Sequence, residues 1–185
     1  MKKVLVLLFL VNVAYAQTAT PPKAPAVPFP KDPNGKIVYT EEVKVDGVLK
    51  PDLIVRASDW LTKTYKNPTD SVITNDKTAG NIVVKSRINV TQIYFQKAQD
   101  AGSVRYTLTV TISEGKYTYK VEGFAHEKGG EVPSLGFVGR PYAEVKELGI
   151  YKEDFRDIQK QVDSKTLQLI KSLKDAMAVV PKEKK

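Results

Sequence analysis

The sequence predicts an α+β domain in which an antiparallel sheet of about five to six strands carries two helices on one face. Three patterns predict it: alternating runs on either side of Glu114-Gly115, a helical apolar stripe from Pro51 to Thr64 just after the first strand-like run, and a longer stripe from Lys152 to Ala178. Alternation of this kind is what an antiparallel sheet shows when one side lies on a core and the other in water.

The 185-residue chain opens with Lys2 and Lys3, an apolar run Val4 to Val13 broken only by Asn12, and Ala14-Tyr15-Ala16. This is a secretory leader, with small residues at the two recognised positions before cleavage. An apolar run of about ten residues is half the roughly twenty needed to span a bilayer. Residues 1–16 therefore read as a signal peptide cleaved before Gln17, and the remainder as an exported chain, periplasmic or extracellular, with no membrane span. Residues 17–34 hold six prolines among Thr and Ala, a composition that favours extended polyproline II. Such a segment is either a spacer or a leader left by processing. A single domain over residues 35–180 and a basic tail, 181–185, complete the expected organisation.

Within the domain, Ile37 to Thr40 and Val43 to Val45 are rich in β-branched and aromatic residues and end at the turn signal Asp46-Gly47, which makes them strand one. Pro51 suits a first helical turn, and Leu53, Ile54, Ala57, Trp60, Leu61 and Thr64 recur at helical spacing until Asn67-Pro68. Trp60 lies on that stripe and is expected in the core. Ser71 to Thr74 is a short strand. Asn81 to Val90 is a longer one that continues through Ile93-Tyr94-Phe95 with a bend or bulge at Thr91-Gln92, and Asp100-Ala101-Gly102 is expected to reverse the chain.

The hairpin from Val104 to Phe124 can be written in register. Ile112 faces Tyr117, Val110 faces Tyr119 and Leu108 faces Val121, whereas Thr111 faces Thr118, Thr109 faces Lys120 and Thr107 faces Glu122. One face is thus apolar and aromatic, the other threonine and charge. The terminal helix places Phe155, Ile158, Val162, Thr166, Leu169, Ile170, Leu173 and Met177 on one stripe, with Asp154, Asp157 and Asp163 opposite. Its length of roughly 40 Å leaves two outcomes open: a core helix laid across the sheet, or an end that overhangs and docks a partner or a second copy.

The opening Phe29-Pro30, Gly35-Lys36-Ile37-Val38-Tyr39-Thr40-Glu41 and Val43-Lys44-Val45-Asp46-Gly47, followed by Leu53, Trp60, Asp76 to Gly80 and the Tyr106 to Tyr119 hairpin, resembles a known family. It is the secreted bacterial domain of unknown function with a TATA-box-binding-protein-like (TBP-like) fold, and the resemblance covers about Phe29 to Phe124. It implies a curved antiparallel sheet with helices on one side, and exported proteins of undetermined role. It supplies no catalytic residues, and the fold name implies no DNA binding, because fold and function separate freely.

The chain has no cysteine, which excludes a lipid-modified cysteine, disulfides and a thiol nucleophile. Its one histidine, His126, falls in a Gly-rich stretch running to Arg140; a triad would have to combine it with a serine such as Ser134, and no nucleophile elbow surrounds either residue. Glu122, His126, Glu127 and Glu131 do not have the spacing of a zinc site. Neither cofactor nor metal is expected, and no catalytic activity. Without Lys2 and Lys3 the chain has 27 basic and 21 acidic residues, a net +6, which suits anionic surfaces. Basic residues are not interleaved with stacking aromatics, so nucleic acid is not an expected partner.

The water-facing sheet surface is the expected binding face: Lys85, Arg87, Arg105, Thr107, Thr109, Thr111, Thr118 and Lys120. Its hydroxyl and cationic donors suit carboxylates, sulfates or a glycan. A solvated sheet face with Thr chosen for strand propensity is the alternative. Leu135, Phe137 and Val138, in the loop up to Arg140-Pro141, either fold over the core or meet a partner. The expected role is a non-catalytic binding module in the envelope, with a protein or a glycan as partner. A carboxylate-dependent glycan hydrolase and an assembly protein using the last helix are the alternatives. The oligomeric state is left open.

Overall fold

The computed structural model describes residues 27, 29–66, 71–127, 136–139, 142–146 and 152–178. The leader 1–16, most of the Pro-rich segment, Leu135 and the tail 181–185 lie outside the described residues. Alternation of apolar with threonine or charged side chains produces strands β1 (Val38–Lys44), β2 (Val72–Asp76), β3 (Asn81–Tyr94), β4 (Lys97–Ser113) and β5 (Lys116–Glu127), with a short β6 (Gly136–Phe137). They form one antiparallel sheet in the order β1-β5-β4-β3-β2, with β6 pairing to β5.

Between β1 and β2 lies helix α1 (Lys50–Thr64), with proline and Asp52 in its first turn and Lys63 in its last, an arrangement that suits the helix dipole. A four-residue α2 (Tyr142–Val145) and the long α3 (Lys152–Ala178) follow β6. Both long helices cover the same sheet face, because only that face is apolar. Ile82, Val84, Val104, Leu108, Val110, Ile112, Tyr117, Tyr119, Val121 and Phe124 are buried there with Leu53, Trp60, Phe155, Ile158, Val162 and Leu173 in one core. Phe29, from within the Pro-rich segment, joins that core. Each large side chain removed from water in this way stabilises by about 1.5–3 kcal/mol.

The hairpin register matches the expected one at all six pairs, from Ile112 with Tyr117 to Thr107 with Glu122, and Gly115 supplies the positive φ of its turn. The apolar stripe of α3 is buried from Phe155 to Met177, save the half-buried Leu169, so neither end of the described helix overhangs the core. Asp163 is not on the solvent side as expected: its carboxylate accepts a hydrogen bond from the Tyr39 hydroxyl at 2.6 Å.

Three local expectations are corrected. The chain does not reverse at Asp100-Ala101-Gly102; it turns at Phe95-Gln96, and Tyr94 pairs with Lys97. The expected turn is instead a bulge, in which Ala101 and Gly102 together oppose Val90, Gly102 has φ 93, and the Asp100 carboxylate accepts its N–H. The irregularity expected at Thr91-Gln92 is this same feature, with the extra residue on the partner strand. His126 is not in a loop. A second bulge, at Gly123 of β5, shifts the alternation by one residue, so Phe124 and His126 point inward. His126 is buried, with Nε2 2.7 Å from the Ala101 carbonyl oxygen. In the loop beyond, Val138 is buried on the core, which settles that residue's role as cover.

Candidate functional site

Both long helices pack on the apolar side, so among the described residues no element covers the opposite face of the sheet. Register fixes which residues share it. Lys85 pairs with Thr107, Arg87 with Arg105, Thr107 with Glu122, Thr109 with Lys120, and Thr111 with Thr118. Directly paired residues of antiparallel strands point to the same side, so all eight expected face residues are brought together. Each is exposed or half-buried. The face extends further than the sequence reading took it, because β1 adds Thr40, Glu42 and Lys44 opposite Lys120, Thr118 and Lys116. Strand order, which a single sequence does not reveal, was the missing information.

The cations on this face differ in how far they are committed. Lys120 pairs with Glu122 at 2.9 Å, Lys116 with Glu42 at 2.9 Å, and Arg105 with Glu127 at 2.7 Å. Lys85 and Arg87 have no acidic partner among the described residues. Arg87 lies directly across from Arg105, and like charges facing each other across two strands are destabilising. Arg87, with the Lys85 ammonium two residues away and the Glu127-held Arg105 across the strands, offers a forked cationic donor suited to carboxylate or sulfate oxygens. Thr107, Thr109, Thr111 and Thr118 flank it with hydroxyls.

On the buried side, polar groups serve the fold. Arg56 is buried, and its guanidinium donates to the Met177 carbonyl at 2.6 Å, satisfying the last turn of α3. The Trp60 indole N–H donates to Ser172 at 3.0 Å. Glu41 accepts from Lys174 at 2.5 Å and from the Tyr119 hydroxyl at 2.8 Å, and these two partners hold its carboxyl below the usual range. Burial pushes the Tyr117 hydroxyl up to about 12. Burial together with the Asp163 carboxylate raises Tyr39. A cleft of about 410 Å³ at the end of α1 is lined by Lys63, Lys66, Ser86 and the Tyr65–Tyr106 hydroxyl pair, 3.1 Å apart. Of the residues weighed above for a metal site or a triad, Glu131 and Ser134 lie outside the described residues, and among those described no three acidic or histidine side chains converge as a ligand set.

Residues 39–127 match a family model described as a domain of unknown function (DUF4468) with TBP-like fold. Among solved structures, the chain is similar to a TBP-like protein from Parabacteroides distasonis ATCC 8503, at 15% identity and a TM-score of 0.55 over 77% of this chain and 95% of that one. It is also similar to a DUF4468 family protein from Bacteroides ovatus ATCC 8483, at 14% identity and a TM-score of 0.54 over 85% of this chain and 94% of that one. No curated protein matches. At these identities the likeness shows the fold: an α+β, TBP-like architecture built on one curved antiparallel sheet.

Proposed function

We propose, from the premise that residues 39–127 match the model of the DUF4468 family of TBP-like domains, that this chain is an exported, non-catalytic binding module. Its open sheet face captures an acidic component of the cell envelope. The observation that carries this reading is the cross-strand juxtaposition of Arg87 and Arg105, with Lys85 on the same face. Glu127 already neutralises Arg105, but Lys85 and Arg87 have no acidic partner among the described residues, and hydroxyl-bearing neighbours provide further donors for an oxygen-rich ligand. The leader at 1–16 and the net positive charge support an envelope location and an anionic partner.

The test uses polygalacturonate and dextran sulfate as probes of carboxylate and sulfate recognition. The double variant Lys85→Glu with Arg87→Glu is expected to weaken retention at least roughly tenfold, the equivalent of about 1.4 kcal/mol. Lys160→Glu with Lys171→Glu changes net charge equally on the exposed side of α3 and serves as the control. Equal losses in both double variants would reduce the effect to net charge and remove the sheet face from the account.

A further inference from the structure

The cleft of about 410 Å³ at the end of α1 lies where the edge of β3 changes its neighbour. β2 pairs with β3 as far as Val72 with Lys85, and one residue further the two segments meet through side chains, Ser71 Oγ donating to Ser86 Oγ at 2.8 Å. Successive residues of a strand point to opposite faces, yet Ser86 and Arg87 both line this cleft. It therefore reaches around the strand edge, taking a hydroxyl from the helix-covered side and a guanidinium from the other.

Its polar groups form two sets. The first is a line of hydroxyls: Ser71 bonds Ser86, Ser86 bonds Tyr106, and the Tyr106 and Tyr65 hydroxyls lie 3.1 Å apart. Burial raises both phenols, so each keeps its proton at neutral pH. A hydroxyl both donates and accepts and its hydrogen rotates to suit, so such a line can turn a proton toward an anionic oxygen. The Tyr65 ring is held edge-on to Trp60 with centroids 5.8 Å apart, which fixes its hydroxyl in place before any ligand arrives. The second set is cationic: Lys63 and Lys66 from the end of α1, and Arg87. None of the described residues lining the cleft is acidic, and these three cations have no acidic partner among the described residues. Lys116, Lys120 and Arg105 on the sheet face differ in this respect, since each is held by a glutamate.

We propose that this cleft binds a small hydroxylated anion, a sugar acid or a sugar phosphate, as a site separate from the sheet face. Lys63, Lys66 and Arg87 take the carboxylate or phosphate, the Tyr65–Tyr106 pair and the serines meet the ligand's hydroxyls, and Leu169 of α3 supplies an apolar wall for its ring. The volume falls within the roughly 300–1,000 Å³ of small-molecule sites, and a concave site with convergent donors suits a single sugar unit where a flat strand face suits a polymer. The inference does not rest on capture of a polymer by the sheet face, although Arg87 is common to both.

The protein in its processed form is titrated calorimetrically with galacturonic acid, glucose 6-phosphate and glucose. One of the two acids is expected to bind, which identifies the anionic group, and glucose is expected to bind at least roughly tenfold more weakly. Lys63→Glu with Lys66→Glu is expected to weaken binding of that acid at least roughly tenfold, whereas Lys160→Glu with Lys171→Glu, equal in net charge, leaves it unchanged. Tyr65→Phe removes only a hydroxyl and is expected to cost about threefold or more with the urea midpoint retained to show an intact fold. Lys85→Glu with Arg105→Glu alters the sheet face without touching the cleft, and is expected to lower polygalacturonate retention while the small acid binds as before. Loss of polymer retention by wild type with the acid still bound would remove the sheet-face reading alone and leave the cleft standing. Binding of neither acid, glucose bound as tightly as the acid, or equal affinity in the Lys63 and Lys66 double variant overturns the proposal. So does loss of the acid in Lys85→Glu with Arg105→Glu but not in that double variant, which would assign the small anion to the sheet face.

Discussion

At the scale of single residues, Glu41 shows how one exposed strand position ties the sheet to α3. Its carboxylate accepts from Lys174 and from Tyr119, and the Lys174 ammonium also lies 5.6 Å from the centre of the Tyr119 ring. These partners lower its folded-state pKa below the ordinary value of 4.5. A depressed carboxylate contributes stability that is present above its unfolded value and lost as pH falls through the folded one. The side chain is 46% exposed, so solvent screening holds the contribution to under about 1 kcal/mol. Glu41→Gln is expected to lower the urea midpoint at neutral pH and to match wild type well below pH 4.5; a difference that persists in acid would locate its cause elsewhere. Glu41 could not be singled out from sequence, because its partners lie 78 and 133 residues away. Arg56 could have been, because it sits three residues after Leu53 and four before Trp60 on an apolar stripe. A charge at such a position needs a buried acceptor.

Among the elements, those with a strict period were legible and those with an interrupted one were not. The register of the β4–β5 hairpin and the ends of α3 followed from periods of 2 and 3.6, reinforced by Gly115 at the turn. The β3–β4 connection was misread because Asp100-Ala101-Gly102 has turn chemistry but forms a bulge, whereas the real turn, Phe95-Gln96, has none. The eight-residue face proposed for binding was legible as a face because alternation survives without knowledge of strand order; its extension onto β1 required that order. The edge of β3 beyond Lys85, unpaired on that side among the described residues, shows what sequence does not carry. One Gln161 carboxamide accepts the Thr91 N–H at 3.0 Å and donates to the Thr91 carbonyl at 2.7 Å, taking the place of a neighbouring strand. An uncovered edge invites pairing with another chain. Gln161→Ala is therefore expected to speed hydrogen exchange at the Thr91 amide and to raise the mass measured by light scattering relative to wild type. Unchanged values for both would show that the edge needs no such cover.

For the molecule as a whole, one core links elements that are distant in sequence, with Phe29 and Tyr39 at one end of the chain and Phe155 through Met177 at the other. α3 has buried side chains along almost its full length, and the contacts of Arg56 with Met177 and of Trp60 with Ser172 join it to α1. With no disulfide to hold any part of the chain independently, neither the sheet nor the helices retain an apolar partner if the other separates. Unfolding is therefore expected as a single cooperative transition. Trp60 fluorescence reports the α1–α3 contact and far-UV circular dichroism the whole backbone, so the two should give superimposable urea curves. Ile158→Ala, which hollows the core beneath α3, should shift both by the same amount, about 2–5 kcal/mol. A fluorescence transition that precedes the dichroism would mean that α3 leaves a sheet able to stand without it. The open face could then persist without its helical backing, and binding to an acidic probe would survive removal of α3. Cooperative loss of both signals instead makes the cationic face a property of the complete fold, because the strands presenting Arg87 and Arg105 are held in register by the core on their other side.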